Sequence, residues 1–93
     1  MADDSIMQSR RECYITGDTQ GLNRHHVYGG GRRQAADKWG CWVWLRWDWH
    51  TGAEYSVHRN RDFDLRLKRE CQERFEELYG HEKFMEVFGK SWI

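Results

Sequence analysis

Residues 41–50 read Cys41-Trp42-Val43-Trp44-Leu45-Arg46-Trp47-Asp48-Trp49-His50. The run from Cys41 to Trp47 is dense in aromatic and branched side chains, which favour extended backbone, and it predicts the strongest strand of the chain. Successive strand residues point to opposite faces, so Trp42 and Trp44 share one face while Val43, Leu45 and Trp47 take the other. Both faces are apolar. The strand is therefore central, or covered on two sides.

On the N-terminal side, Leu22 to Tyr28 is a second extended candidate, ended by Gly29-Gly30-Gly31, whose backbone can adopt angles closed to other residues. Arg32 to Trp39 holds good helix formers around Ala35-Ala36 and predicts a short helix closed by Gly40. Cys13 to Asp18 reads as a short extended piece running into a turn. Residues 1–10 have little apolar content and read as a flexible leader. On the C-terminal side Thr51-Gly52-Ala53-Glu54 is a loop, after which the period changes. Ser56 is the expected helix N-cap, followed by Phe63, Leu67, Cys71, Phe75 and Leu78 at helical spacing, with Gly80 as the stop. Residues 81–88 predict a second short helix with Phe84, Val87 and Phe88 on one side, closed by Gly89, and Trp92 and Ile93 are expected to fold back onto the core. The expectation is an α+β fold in one domain over residues 11–93, with two strands, a long C-terminal helix and a short helical tail.

Ninety-three residues suit one small core. Mean hydropathy of −1.00 would suit a disordered chain. Six Trp, four Tyr and four Phe argue otherwise, because each ring can bury roughly 150–250 Å². No apolar run approaches the roughly 18 residues of a membrane span, and the first residues lack the basic and apolar regions of a signal peptide. Cys13, Cys41 and Cys71 are odd in number and widely spaced, a poor disulfide framework with no C-x-x-C pair. A cytoplasmic protein without membrane contact is the expectation, with Cys71 a small core residue. Net charge is zero, yet residues 21–61 carry +4 against −2 on each flank. Any polyanion contact belongs in that middle, unless its arginines pair with the acidic flanks.

Four of the five histidines, His25, His26, His50 and His58, also fall in the basic middle. In a strand–strand–helix order, His25 or His26 on the first strand, His50 past the second and His58 at the helix start can surround one metal ion. Neutral imidazole is a good ligand for first-row ions, three ligands leave positions open for water and phosphate oxygen, and the spare histidine can act as general base. On a regular strand, adjacent residues face opposite ways, so His25 and His26 share a pocket only if the strand bends. The competing interpretation is an exposed polar pair at His25-His26, a turn residue at His50 and a helix-start donor at His58. His81 heads the last helix and reads as a surface or capping residue.

His25-His26-Val27-Tyr28-Gly29-Gly30, Trp42-Val43-Trp44-Leu45, His50, Val57-His58-Arg59-Asn60 and the tail Tyr79-Gly80-His81-Glu82-Lys83-Phe84-Met85 with Phe88-Gly89 together resemble HNH endonucleases. The likeness is to the small HNH-like proteins of bacteriophages and covers about residues 13–93. It implies a ββα-metal core and hydrolysis of DNA phosphodiester bonds with one divalent ion (Mg, Mn, Ni or Zn). It makes His25, His50 and His58 the metal ligands, and His26 the base that activates water. Arg24, Arg32, Arg33, Arg59 and Arg61 would hold phosphates of double-stranded DNA. Such a chain would work in the host-cell cytoplasm, alone, as a homodimer or with a phage or host protein. Related phage proteins carry two cysteine pairs for a structural zinc. Here Cys13 remains, but Thr16, Arg46 and Trp49 stand at the other three positions. No structural zinc is expected, with packing by Trp47 and Trp49 in its place.

The tryptophans give a second interpretation. As core they compensate the lost zinc; as an exposed patch with arginine they suit a protein-binding surface, and stacking of unpaired bases is a third use. The rival function is thus a non-catalytic phage protein on an HNH-derived scaffold that binds and inhibits a host protein, such as a defence factor.

Overall fold

The computed structural model describes residues 4–93. Strands β1 (Leu22–His26) and β2 (Trp42–Arg46) form a two-stranded antiparallel sheet in which His25 opposes Val43 and His26 opposes Trp42. Between them lie a 3-10 turn, Gly30–Arg32, and a short helix α1 (Arg33–Lys38). A π-helical turn, Asp48–Gly52, follows β2, and helices α2 (Arg61–Tyr79) and α3 (His81–Phe88) complete the chain. No helix among the described residues is long and apolar enough to cross a membrane.

Strand alternation in β2 sends Val43 and Leu45 into the core, both fully buried. They meet Phe63, Leu67, Cys71 and Phe75, buried at four-residue intervals along α2, and Phe84 and Phe88 of α3. Each of these valine, leucine and phenylalanine side chains stabilises the fold by roughly 1.5–3 kcal/mol on burial. Leu78, expected on the same stripe, is 45% exposed, because the core ends a turn before the helix does. Gly80 at φ +89° ends α2, and Gly89 at φ +73° ends α3, a left-handed conformation that costs glycine little. The C-terminal return is held by buried Gln72, whose amide oxygen accepts from Trp92 N at 2.7 Å, while the Trp92 ring packs against Tyr28. Ile93 stays largely exposed.

Three expectations need correction. Residues 4–10 do not hang free. Ile6 N donates to Gly40 O at 2.9 Å, Ser5 Oγ donates to Trp42 O, and Gln8 Oε1 accepts from Trp44 N. Gly40 has φ +75°, and a Cβ there would lie 2.6 Å from the Asp4 carbonyl oxygen, so the close approach requires glycine. This segment, with Arg11 over Trp44 and Arg24 over Trp42, covers the Trp42/Trp44 face of the sheet. The expected leader is thus the second cover that an apolar two-faced strand demands; residues 1–3 lie outside the described residues.

Ser56 does not cap α2. It is buried in the preceding turn, and its carbonyl accepts from Arg59 N and Asn60 N. Asn60 is the cap, its side chain accepting from Phe63 N at 3.1 Å.

At the replaced zinc positions the expected packing by two tryptophans is only half present. Trp49 packs against Tyr55 and Phe63, but Trp47 is 59% exposed. The region is joined instead by charge. Arg46 pairs with Asp18 and, through two nitrogens, with Asp48, which also accepts from Tyr55 OH. Arg46 N donates to Cys13 Sγ at 3.3 Å. These hydrogen bonds, from Arg46 first and then Tyr55, hold the Asp48 carboxyl well below the usual carboxylate range. A depressed folded-state pKa adds stability that is complete above the unfolded value of about 3.9 and is lost as pH falls toward the folded value. Thermal melts from neutral pH downward should therefore show a steep acid limb beginning near that value, and Asp48→Asn should flatten it while lowering stability at neutral pH.

Candidate metal centre

Three elements meet beside the end of β1. His25 lies on the core-facing side of that strand and is 6% exposed. His50 sits in the π-helical turn after β2. His58 reaches it because the loop after Gly52 doubles back: Val57 N donates to Trp49 O at 2.8 Å and His58 N to His50 O at 3.4 Å. Residues eight apart in sequence thus stand side by side. His58 lies in the turn before α2, not in its first turn.

One ring nitrogen from each of His25, His50 and His58 lies within 4.8 Å of the other two. The three side chains could hold a metal ion. Ligands at 2.0–2.1 Å around a tetrahedral ion stand about 3.3 Å apart, and His50 Nε2 and His58 Nε2 are 3.1 Å apart. Two such nitrogens repel unless a proton or a cation lies between them. Asn23 Oδ1 stands 3.2 Å from His50 Nδ1. A carbonyl oxygen only accepts, so Nδ1 carries the proton and Nε2 keeps its lone pair toward His58, as a ligating histidine requires. His25 Nε2 is buried without a hydrogen-bond partner, a costly arrangement in a purely structural residue. Burial first, then the proximity of His50 and His58, pushes His25 down to about 3; burial and then His58 also lower His50. The donor set fits a divalent first-row cation.

His25, His26 and His58 line one open hollow of about 470 Å³, with Val27, Arg59 and Lys68 also in its wall. Arg61 borders it as well. His26 is the last residue of β1, where the regular alternation ends, so both members of the doublet reach this space. His26 does not join the cluster: its Nε2 lies 3.0 Å from Asp37 Oδ1 of α1.

The five arginines divide. Arg33, Arg59 and Arg61 are exposed and make no ion pair among the described residues. Arg24 lies over Trp42 and pairs with Asp37 at 2.8 Å, and Arg32 donates to Phe88 O at 2.8 Å. These two hold the fold together. His81 pairs with Glu76 on the surface, away from the cluster.

Asn23 and Asp37 were not singled out in the sequence. Asn23 shares strand parity with His25, a signal that was present. Asp37 is one of only three acids in the basic middle, and nothing local tied it to His26.

The chain matches no protein-family model, no curated protein and no solved structure. The class that fold and site define is a small α+β protein with a three-histidine centre.

Proposed function

We propose that this protein is an HNH-type endonuclease with a ββα-metal core, hydrolysing phosphodiester bonds of double-stranded DNA with one divalent ion. The observation that carries the reading is the meeting of His25, His50 and His58 beside a hollow that His26, Arg59 and Arg61 also border. The order β1, β2, α2 supports it, as does the gathering of Cys13, the cysteine that remains of the expected zinc pairs, with Arg46, one of the three replacements.

His25, His50 and His58 would hold the ion. When bound, the cation supplies Lewis-acid stabilisation of the phosphate and of the leaving 3′ oxygen. His26 takes a proton from the attacking water while the new P–O bond forms and the P–O3′ bond breaks. The leaving oxygen gains its proton from solvent, and His26 returns its own there, so the products are a phosphate monoester and an alcohol. Arg59 and Arg61 bind flanking phosphates from the rim, with Arg33 beyond His26.

The rival interpretation, a host-protein inhibitor, calls on an exposed Trp/Arg surface. Of the six tryptophans only Trp47 is mostly exposed, and the guanidinium groups over Trp44 and Trp42 are internal contacts.

Plasmid nicking with magnesium, manganese, nickel or zinc tests the function. Ion-dependent nicks that a chelator abolishes are expected, and no cleavage with any of the four ions would overturn it. The rim has its own signature. With Arg59→Gln and Arg61→Gln combined, DNA binding should weaken for all sequences, and the slope of log K against log salt should fall by about 2.

A further inference from the structure

His26 and Asp37 belong to different elements, β1 and α1, eleven residues apart, and they touch through a single pair of atoms, Nε2 and Oδ1, at 3.0 Å. Asp37 Oδ1 also receives Arg24 at 2.8 Å. The hydrogen bond with His26 first, and then the permanent positive charge of Arg24, hold Asp37 below the usual carboxylate range and keep it ionised. An ionised carboxylate has no proton to give, so the imidazole must donate. His26 Nδ1 has no protein partner among the described residues.

His26 stands between two hollows. One is the space beside the histidine cluster; the other, about 490 Å³, lies over α1 and is lined by His26, Arg33, Gln34, Asp37 and Lys38. Arg33 and Lys38 make no ion pair among the described residues. The ring is therefore fixed from the α1 side, and its partner there is anionic.

We propose that Asp37 is the positioning residue for His26: by accepting from Nε2–H it selects one tautomer and leaves the Nδ1 lone pair as the basic atom of the ring. The pairing stands on geometry alone; only its consequence for cleavage rests on the nuclease reading above. When His26 gains a proton at Nδ1, the same carboxylate stabilises the imidazolium. A carboxylate behind a catalytic imidazole plays this part in other hydrolytic sites without itself becoming protonated.

Nitrogen-15 NMR of the metal-free chain, above the histidine titration range, reads the tautomer directly. The wild type should show His26 protonated at Nε2. Asp37→Ala should show a mixture, and Arg24→Gln should keep the wild-type tautomer, because Arg24 meets Asp37 and not the ring. In nicking assays Asp37→Ala should lower kcat by about 10–100-fold with KM within about twofold, and Asp37→Glu should recover part of the loss. A wild type protonated at Nδ1, or an Asp37→Ala spectrum unchanged at His26, overturns the proposal. So does an Asp37→Ala effect confined to KM and thermal stability, which a mere tether between α1 and β1 would give. A chain that cleaves nothing, yet loses the Nε2–H tautomer in Asp37→Ala, removes the nuclease reading and upholds the pair.

Discussion

His25→Leu is expected to make the metal-free chain more stable while abolishing metal binding. His25 is almost sealed from solvent and its Nε2 has no partner. A buried polar group left unsatisfied costs about 1–3 kcal/mol. Leucine is close enough in volume that misfit should cost less than about 1.5 kcal/mol. The net gain should be about 1 kcal/mol, or about 4–8 °C in Tm for a domain of this size. In the wild type the ion reverses the balance: a ligand at a hundred times its Kd stabilises by about 2.7 kcal/mol. Calorimetric melts in chelator and with added zinc or nickel measure both effects, and titration calorimetry counts one ion per wild-type chain. A variant that melts lower than wild type in chelator and still responds to metal would show that His25 is an ordinary core histidine.

His26→Ala is expected to remove cleavage while leaving metal binding intact. A positioned general base contributes about 10²–10⁴-fold to rate, and the loss should fall on kcat. Metal affinity should change by less than about threefold, because His26 contacts Asp37 and stands outside the cluster of His25, His50 and His58. Nicking rates and metal titrations on the same preparation check the pair of outcomes. Loss of the ion in His26→Ala would make His26 a ligand and leave the base unassigned.

Much of the architecture was legible along the chain. Alternation in Trp42–Arg46 set which side chains face the core, and glycines at 80 and 89 marked the helix ends. Those signals are local, since each depends on residues within a turn or a strand of one another. The cap of α2 is not decided locally, because Ser56 and Asn60 offer the same chemistry. Only the doubling back of the chain shows that Ser56 is buried in a turn and that Asn60 meets Phe63 N. The order of segment 4–10 is hidden from the sequence for a related reason. Its polar atoms bond to Gly40 and to β2, partners more than thirty residues away, so its own composition carried no sign of order.

The site divides in the same way. Residue types alone singled out four histidines in a basic middle, since imidazole and guanidinium chemistry belongs to the side chains wherever they lie. Which three histidines converge, and which one stands apart, depended on the end of β1, the turn after β2 and the returning loop before α2. The same long-range packing brought Asp37 to His26 and Asn23 to His50, and drew Arg24 and Arg32 into the scaffold. Side-chain chemistry can be read from the order of residues. Roles that require two distant groups within about 3 Å of each other are decided by how the chain closes.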